Sequence, residues 1–235
     1  MKHPAIGNRL LSASDFVRQG AYFADIGTDH AYLPLFLLET GRISRAVCAD
    51  INKGPLESAM KNAGELSESG NITFVLTDGA EGLSGMGITD YAICGMGGEL
   101  IADIIERSPH LSERGVRLIL QPMTRQAYLR RYLAGRGFAT VGESYSYDSG
   151  KYYVAIAVEY DGVCRDISDF EAEFGNADTR ASFSSEERGY FDMKIKALKK
   201  AARGKLLGGD SDSNEARLLL ECKQRLGKRL CIKDF

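Results

Sequence analysis

The stretch from Tyr22 to Asp50, YFADIGTDHAYLPLFLLETGRISRAVCAD, constrains the fold more than any other part of this chain. An apolar run ends at Asp25 and a turn follows at Gly27. A helix-length apolar segment comes next, then a second apolar run that ends at Asp50. This is the pattern of a strand, a tight loop, a helix and a parallel strand with an acidic residue at its tip. A carboxylate there can accept hydrogen bonds from both hydroxyls of a ribose lying across the strand ends. The segment therefore predicts a nucleoside-containing ligand. On this segment alone a plainer reading stays open, a strand–helix unit with an aspartate capping its helix.

The loop between the strands narrows the choice of nucleoside. A dinucleotide-binding loop uses Gly-x-Gly-x-x-Gly so that a pyrophosphate can approach the backbone and rest on a helix N-terminus. Here Gly27 stands alone, with Asp29 and Tyr32 at the second and third glycine positions. A pyrophosphate beside Asp29 would meet like charge. Carboxylates at Asp25 and Asp29 suit a ligand with a cationic part. S-adenosylmethionine, with an ammonium, a sulfonium and a ribose, matches that pattern better than NAD. Gly27 then allows close approach of the methionine part, and Thr28, His30 and Gly95 are read as further cofactor contacts. For His30 the readings as a base and as a structural hydrogen bonder are also open.

The alternation continues beyond Asp50. A helix is predicted over Pro55–Leu66 and a strand over Ile72–Leu76, ending at Thr77-Asp78-Gly79. A strand over Tyr91–Cys94 ends in the glycine-rich turn Gly95-Met96-Gly97-Gly98. The string ELIADIIERS reads as a helix, VRLILQP as a strand ending at Gln121-Pro122, and RQAYLRRYLAGRG as a helix closed by Gly137. Period-two alternation on both sides of Asp148-Ser149-Gly150-Lys151 predicts a β-hairpin whose return strand is Tyr152–Val158. Five β-α units followed by a hairpin imply an α/β fold with a seven-stranded, mostly parallel sheet and one antiparallel strand. That is the Rossmann-like architecture of class I methyltransferases, predicted here over residues 1–165; a dinucleotide fold would end in a sixth parallel strand instead.

From Asp166 the strand pattern stops, and residues 166–235 read as a helical extension. Ser184-x-x-Glu187 and Asp212-x-x-Glu215 both look like capping boxes. The first precedes a helix with Phe191, Ile195, Leu198, Ala202 and Leu206 on one face. The second precedes one with Leu219, Cys222, Leu226 and Leu230, and Gly208-Gly209 lies between them. The spacing describes an antiparallel helical pair. The overall net charge of −2 conceals an asymmetry: residues 188–233 carry 13 Lys+Arg and 5 Asp+Glu, a net of +8, while residues 1–187 carry 17 and 26, a net of −9. A basic tail on an acidic domain is the footprint of a polyanion binder, with Lys194, Lys199, Lys200, Arg203, Arg225 and Arg229 as candidate phosphate contacts. A solvated lysine-rich face, or a partner-binding pair, is the alternative.

No segment approaches the roughly 18 uninterrupted apolar residues of a membrane span, and the N-terminus lacks a signal peptide's apolar block. Five scattered cysteines without a C-x-x-C pair predict neither a metal site nor a disulfide framework. Cys48 and Cys94 fall inside apolar strands and read as core residues. The protein is expected to be cytoplasmic.

In open α/β sheets ligands bind beyond the carboxyl ends of the strands. Asp50 should take the ribose there, Asp78 the adenine amino group, and the Gly79 amide should face the ring. Gly95-Met96-Gly97-Gly98 stands where methyltransferases acting on exocyclic amines often carry Asn/Asp-Pro-Pro-Tyr/Phe, which weighs against such an acceptor.

FADIGTDHAYLP, AICGMGGELI and LILQP followed by YLRRYL together resemble the bacterial TrmK-type tRNA (adenine-N1)-methyltransferases, over roughly residues 5–160. The resemblance implies methyl transfer from S-adenosylmethionine to N1 of adenine 22 in the tRNA D-loop. It also implies a C-terminal helical, coiled-coil-like extension. The alternative is a methyltransferase for another RNA position or a small molecule, and an oxidoreductase is the rival enzyme class. On this reading Asp29 accepts a hydrogen bond from the adenine N6 amino group, or instead caps a helix or binds the cofactor ammonium. Gln121 and the Gly95-Met96-Gly97 backbone position the ring, and Tyr32 stacks on it. The chain departs from the family at Met123, where Asn is usual, and at Phe174-Gly175-Asn176, where Phe-Gly-Pro is common.

Overall fold

The computed structural model of the protein describes residues 6–64, 70–210 and 212–230. Seven strands form one sheet: β1 (Tyr22–Ile26), β2 (Arg45–Asp50), β3 (Ile72–Leu76), β4 (Asp90–Gly97), β5 (Arg117–Thr124), β6 (Phe138–Asp148) and β7 (Lys151–Tyr160). Their order is β3-β2-β1-β4-β5-β7-β6. Strands β1 to β5 pair in parallel, and β7 runs antiparallel to both neighbours. The seven-stranded sheet expected from the sequence is therefore present, with β7 as its single reversed strand. Ser149 and Gly150 join β6 to β7 with φ of 48° and 81°, the doubly left-handed turn that matches strand twist.

The central strands read as unbroken apolar runs because they are covered on both faces. Phe23, Ala46, Ala92 and Ile119 point to one face and pack with α1 (Asn8–Ser14) and α2 (Tyr32–Glu39). Cys48 and Ile72 bury against α3 (Lys53–Ala63). Ala24, Ile26, Ile93 and Leu120 point to the other face. They meet α4 (Gly98–Arg107) and α5 (Gln126–Gly135). The α3 helix ends at Ala63, and the rest of the helix expected to Leu66 runs into residues outside those described.

Two local expectations fail. Strand β4 does not stop at Cys94 in a turn. It continues to Gly97 through register irregularities opposite β5 and passes directly into α4. The glycines serve close approach instead: a Cβ on Gly98 would lie 2.6 Å from the Arg125 carbonyl oxygen. The second capping box is also displaced. Helix α8 (Asn214–Leu230) is capped by Ser213, whose Oγ accepts from the Ala216 N–H at 3.3 Å, while Asp212 pairs with Arg217 at 2.5 Å. The Ser184/Glu187 box is present at the start of α7 (Ser185–Leu207). A further box, Ser168/Glu171, opens the short helix α6 (Asp169–Phe174).

Helices α7 and α8 run antiparallel, with Arg188 near the start of one donating to the Arg229 carbonyl near the end of the other (2.6 Å). They do not stand free. Tyr145 of β6 packs against Tyr190 and Phe191 of α7 at ring separations of 4.9 and 5.1 Å. One apolar cluster runs from the sheet through Phe170, Phe174 and Phe183 to Leu219, Cys222, Leu226 and Leu230. Leu206, expected on the buried stripe, is 59% exposed because α7 outruns the body it packs on.

Three of the expected phosphate contacts are committed to this junction. Lys194 pairs with Glu173. Arg225 pairs with Asp178 at 2.7 Å and lies over the Phe170 ring. Arg229 donates to the carbonyls of Ala177, Asp178 and Arg180 and covers Phe183. Their charge is answered within the chain, so they act as fasteners. Lys199, Lys200 and Arg203 lie further along α7, where they border a groove with Leu219 and Leu220. Among the described residues no helix is long and apolar enough to cross a membrane.

Candidate active site

The carboxyl ends of β1 to β4 surround a cavity of about 500 Å³. Asp25 enters it from β1, Gly27 and Asp29 from the β1–α2 loop, Asp50 from β2, Asp78 and Gly79 from beyond β3, and Gly95 and Met96 from β4. Parallel pairing in register sets this convergence. Asp25 lies beside Cys48 and Asp50 beside Leu76, so the successive strand ends present their acidic residues along one rim.

The β1–α2 loop is held in an unusual backbone. Gly27, His30 and Ala31 have φ of 72°, 66° and 57°, a region that L side chains rarely enter. A Cβ on Gly27 would sit 2.2 Å from Met96 Cε, so the glycine leaves room for the methionine over the cavity floor. No side chain caps α2, which removes the helix-cap reading of Asp29. Asp29 instead lies at the mouth, 75% exposed, with His30 Nε2 3.2 Å away. His30 stacks on Tyr32 (5.3 Å between ring centres, 26° between planes), giving an exposed aromatic step at the rim.

The four lining carboxylates differ in environment. Asp25 is buried, and desolvation pushes its carboxyl up to about 7. The Thr28 hydroxyl and Arg9 pull it down, and Asp50 raises it further. Asp50 Oδ1 accepts the Asn52 N–H at 2.7 Å, which fixes the carboxylate at the strand tip. Asp78 is half exposed and pairs with Arg107 at 3.2 Å, so its position is set from α4. Burial, reinforced by Asp25, pushes the Cys94 thiol up to about 12; burial drives Cys48 in the same direction. Both cysteines are poor nucleophiles, consistent with core roles.

Thr28, His30, Gly97 and Gln121 do not line the cavity. Thr28 is buried beneath the loop. Gln121, expected to position an acceptor ring, is fully buried and engaged at both ends of its amide. Its Oε1 accepts from Arg9 Nη1 at 2.6 Å, and its Nε2 donates to the Arg9 carbonyl at 2.8 Å. Arg9 itself lines the cavity, together with Leu10 of the same helix. Nothing in the sequence marks Arg9. It precedes the first strand, and it reaches the site only because α1 docks across the sheet end, its Arg9 N–H bonded to Asp148 at 3.1 Å.

A seven-stranded sheet of this order, with an acidic ligand cavity at its carboxyl end, defines a methyltransferase-type α/β domain. A family model described as a methyltransferase domain matches residues 6–156. The tRNA (adenine(22)-N(1))-methyltransferase of Bacillus subtilis (strain 168) is 31% identical over 170 residues, which cover 69% of this chain and 71% of that protein. A Streptococcus pneumoniae protein provisionally described as a tRNA (m1A22) methyltransferase has been solved in complex with S-adenosyl-L-methionine. It superposes with a TM-score of 0.77 at 31% identity, covering 96% of this chain and 100% of that one. The M. capricolum TrmK structure with S-adenosyl-homocysteine gives a TM-score of 0.71 at 26% identity and 95% coverage of both chains. The chain belongs to the methyltransferases and, within them, to the TrmK family.

Proposed function

We propose that this protein methylates N1 of adenine 22 in tRNA, with S-adenosylmethionine as methyl donor. The observation that carries the reading is the cavity itself, whose fit to the donor can be judged from its shape and charge. About 500 Å³ lies within the range of small-molecule sites. Four carboxylates face it, which suits a ligand bearing cationic groups. A Cβ on Gly79 would press on Ile104 at 3.1 Å, so glycine there keeps the adenine end open. Asp50 would hold the ribose hydroxyls and Asp78 the adenine amino group. Asp25 and the Gly27 turn would hold the methionine part.

When bound, the donor supplies an electrophilic methyl group on a sulfonium. N1 of adenine has a free lone pair, so the chain need not remove a proton before attack; its residues place the ring and meet the charge that develops. N1 lies on the Watson–Crick edge, so the base must leave its stack to enter the cavity. The His30–Tyr32 step at the mouth offers a surface for the displaced ring. Asp29, exposed beside it, accepts a hydrogen bond from N6 as the ring becomes cationic. Gly95 and Met96 line the wall the ring would face.

Incubation with labelled S-adenosylmethionine and unmodified bacterial tRNA, followed by digestion, tests the assignment. N1-methyladenosine that disappears when adenine 22 is replaced is the expected product. Label in N6-methyladenosine or at another position would overturn the substrate assignment. For the cofactor, Asp50→Ala should weaken S-adenosylmethionine by about 1–3 kcal/mol, the loss of a charge-assisted partner, as read by isothermal titration. Unchanged affinity would mean that the ribose lies elsewhere.

The tRNA contact we assign to the tail is narrower than charge alone suggested. With Lys194, Arg225 and Arg229 fastened internally, the phosphate contact falls to Lys200 and Arg203 on the outer part of α7. Lys200→Ala combined with Arg203→Ala should weaken tRNA binding and reduce the slope of log affinity against log salt by about 2, roughly one for each lost phosphate contact. An unchanged slope would assign this part of α7 to a protein partner.

A further inference from the structure

The carboxyl end of β5 borders the cavity without lining it. Met96 of the cavity wall pairs with Pro122, and Gly97 pairs with Thr124. The segment Met123-Thr124-Arg125 therefore leaves the sheet one strand spacing, about 4.8 Å, beyond that wall. All three residues are exposed. The other bank of the mouth, across β4 and β1, carries the exposed carboxylate of Asp29.

Arg125 is held firmly at the backbone and loosely at its tip. Its φ of 58° and ψ of 36° lie in the left-handed region, which a non-glycine residue keeps only where its surroundings impose it. Those surroundings are close. Its carbonyl accepts the Leu129 N–H at 3.1 Å, and the same oxygen lies under Gly98, where a Cβ would approach it to 2.6 Å. Gln126 Nε2 ties the loop back to the Pro122 carbonyl at 3.2 Å. The side chain, by contrast, is 67% exposed and meets Glu99 at 3.3 Å, itself mostly in solvent. An ion pair that open contributes little. The guanidinium can exchange Glu99 for a phosphate, whose oxygens match its fork.

We infer that Arg125 grips a phosphate next to the adenosine that enters the cavity, and so sets which nucleotide of the strand faces the methyl donor. When a base turns into a pocket its sugar-phosphate backbone stays outside, across the mouth. Phosphates are repelled on the bank of Asp29 and attracted on the bank of Arg125. A cation on a backbone this fixed gives the strand one register; a lysine on a free helix face would not. The inference rests on the proposed methylation of tRNA. It adds an anchor at the mouth, separate from Lys200 and Arg203 on α7.

Binding of tRNA to the full chain tests the contact atom by atom. The two phosphates that flank adenine 22 are replaced, one at a time, by neutral methylphosphonates. The wild type should lose about tenfold in affinity at one of the two positions, as expected for one charge-assisted contact. Arg125→Asn and Arg125→Gly should bind natural tRNA about tenfold more weakly, with a salt slope smaller by about 1, and should no longer sense that methylphosphonate. Asn and Gly both tolerate the left-handed region, so thermal unfolding and S-adenosylmethionine affinity should stay near those of the wild type. Variants that keep wild-type tRNA affinity, or that lose the same factor as the wild type on methylphosphonate substitution, overturn the anchor while tRNA remains the substrate. A wild type indifferent to both methylphosphonates also overturns it. A wild type that binds no tRNA overturns the substrate assignment, and the anchor falls with it.

Discussion

Replacing Asp25 with Asn is expected to stabilise the ligand-free protein by about 2–4 kcal/mol at pH 8, but only by about 1 kcal/mol at pH 4.5. The cause is the burial that raises the Asp25 carboxyl to about 7, against about 4 in an unfolded chain. Between those values the native state keeps a proton that the unfolded chain releases. Stability from this group is therefore greatest below pH 4, falls as pH rises to about 7, and is level above. Asn has the same shape and no proton to lose, so the variant should show no such fall. Denaturant unfolding at four pH values reads the difference, and parallel curves for the two proteins would mean that Asp25 is ionised in the native state throughout.

The same carboxyl sets the pH dependence of cofactor capture. A cationic group beside Asp25 favours the ionised form. Below pH 7 binding must displace the proton, and affinity for S-adenosylmethionine should drop by up to tenfold per pH unit. The Asn variant should bind more weakly and with a flatter profile. A site that lowers the stability of the empty protein while favouring a charged ligand is a common property of functional cavities.

The acidic rim was legible in the sequence because it follows from local rules. Asp25, Asp50 and Asp78 each end or follow an apolar run, and parallel strands bring such ends together. Arg9 was not legible, since its place depends on Gln121 and Asp148, distant in sequence by 112 and 139 residues. The extent of β4 was missed for a related reason. Three glycines among residues 95–98 signal a turn locally, yet pairing with β5 carries the strand to Gly97. In the tail, helix periodicity located α7 and α8, but charge counting could not separate a solvated arginine from one stacked on Phe170 or Phe183. Cations fastened to aromatic rings and carbonyls look like any others in a composition.

Arg130→Ala is expected to destabilise the protein by about 3–5 kcal/mol, the loss typical when one partner of a buried ion pair is removed. Arg130 Nε donates to Glu143 Oε1 at 2.6 Å, with both side chains almost wholly buried. Its Nη1 donates to the Ala172 carbonyl at 2.9 Å, which ties α5 to α6. Glu143 also accepts from the Tyr145 hydroxyl at 2.7 Å, and Gly175 lies against its carboxylate so closely that a Cβ would collide with Oε2. Truncating Arg130 leaves that carboxylate buried without its charge partner, at the point where residues 169–230 join the sheet. Replacing both members together, Arg130→Met with Glu143→Met, should recover much of the loss, because the desolvation of two charges disappears along with their attraction. Urea denaturation of the three variants gives the coupling, and limited proteolysis shows where the chain loosens. Cleavage should begin between Gly175 and Ser184, where α6 hands over to α7. The cofactor cavity shares no lining residue with this junction, so Arg130→Ala should retain S-adenosylmethionine affinity at temperatures where it is folded, while binding tRNA more weakly. A variant that loses both together would show that the tail and the cavity form one cooperative unit, and that docking of α7 and α8 is a condition for the site itself.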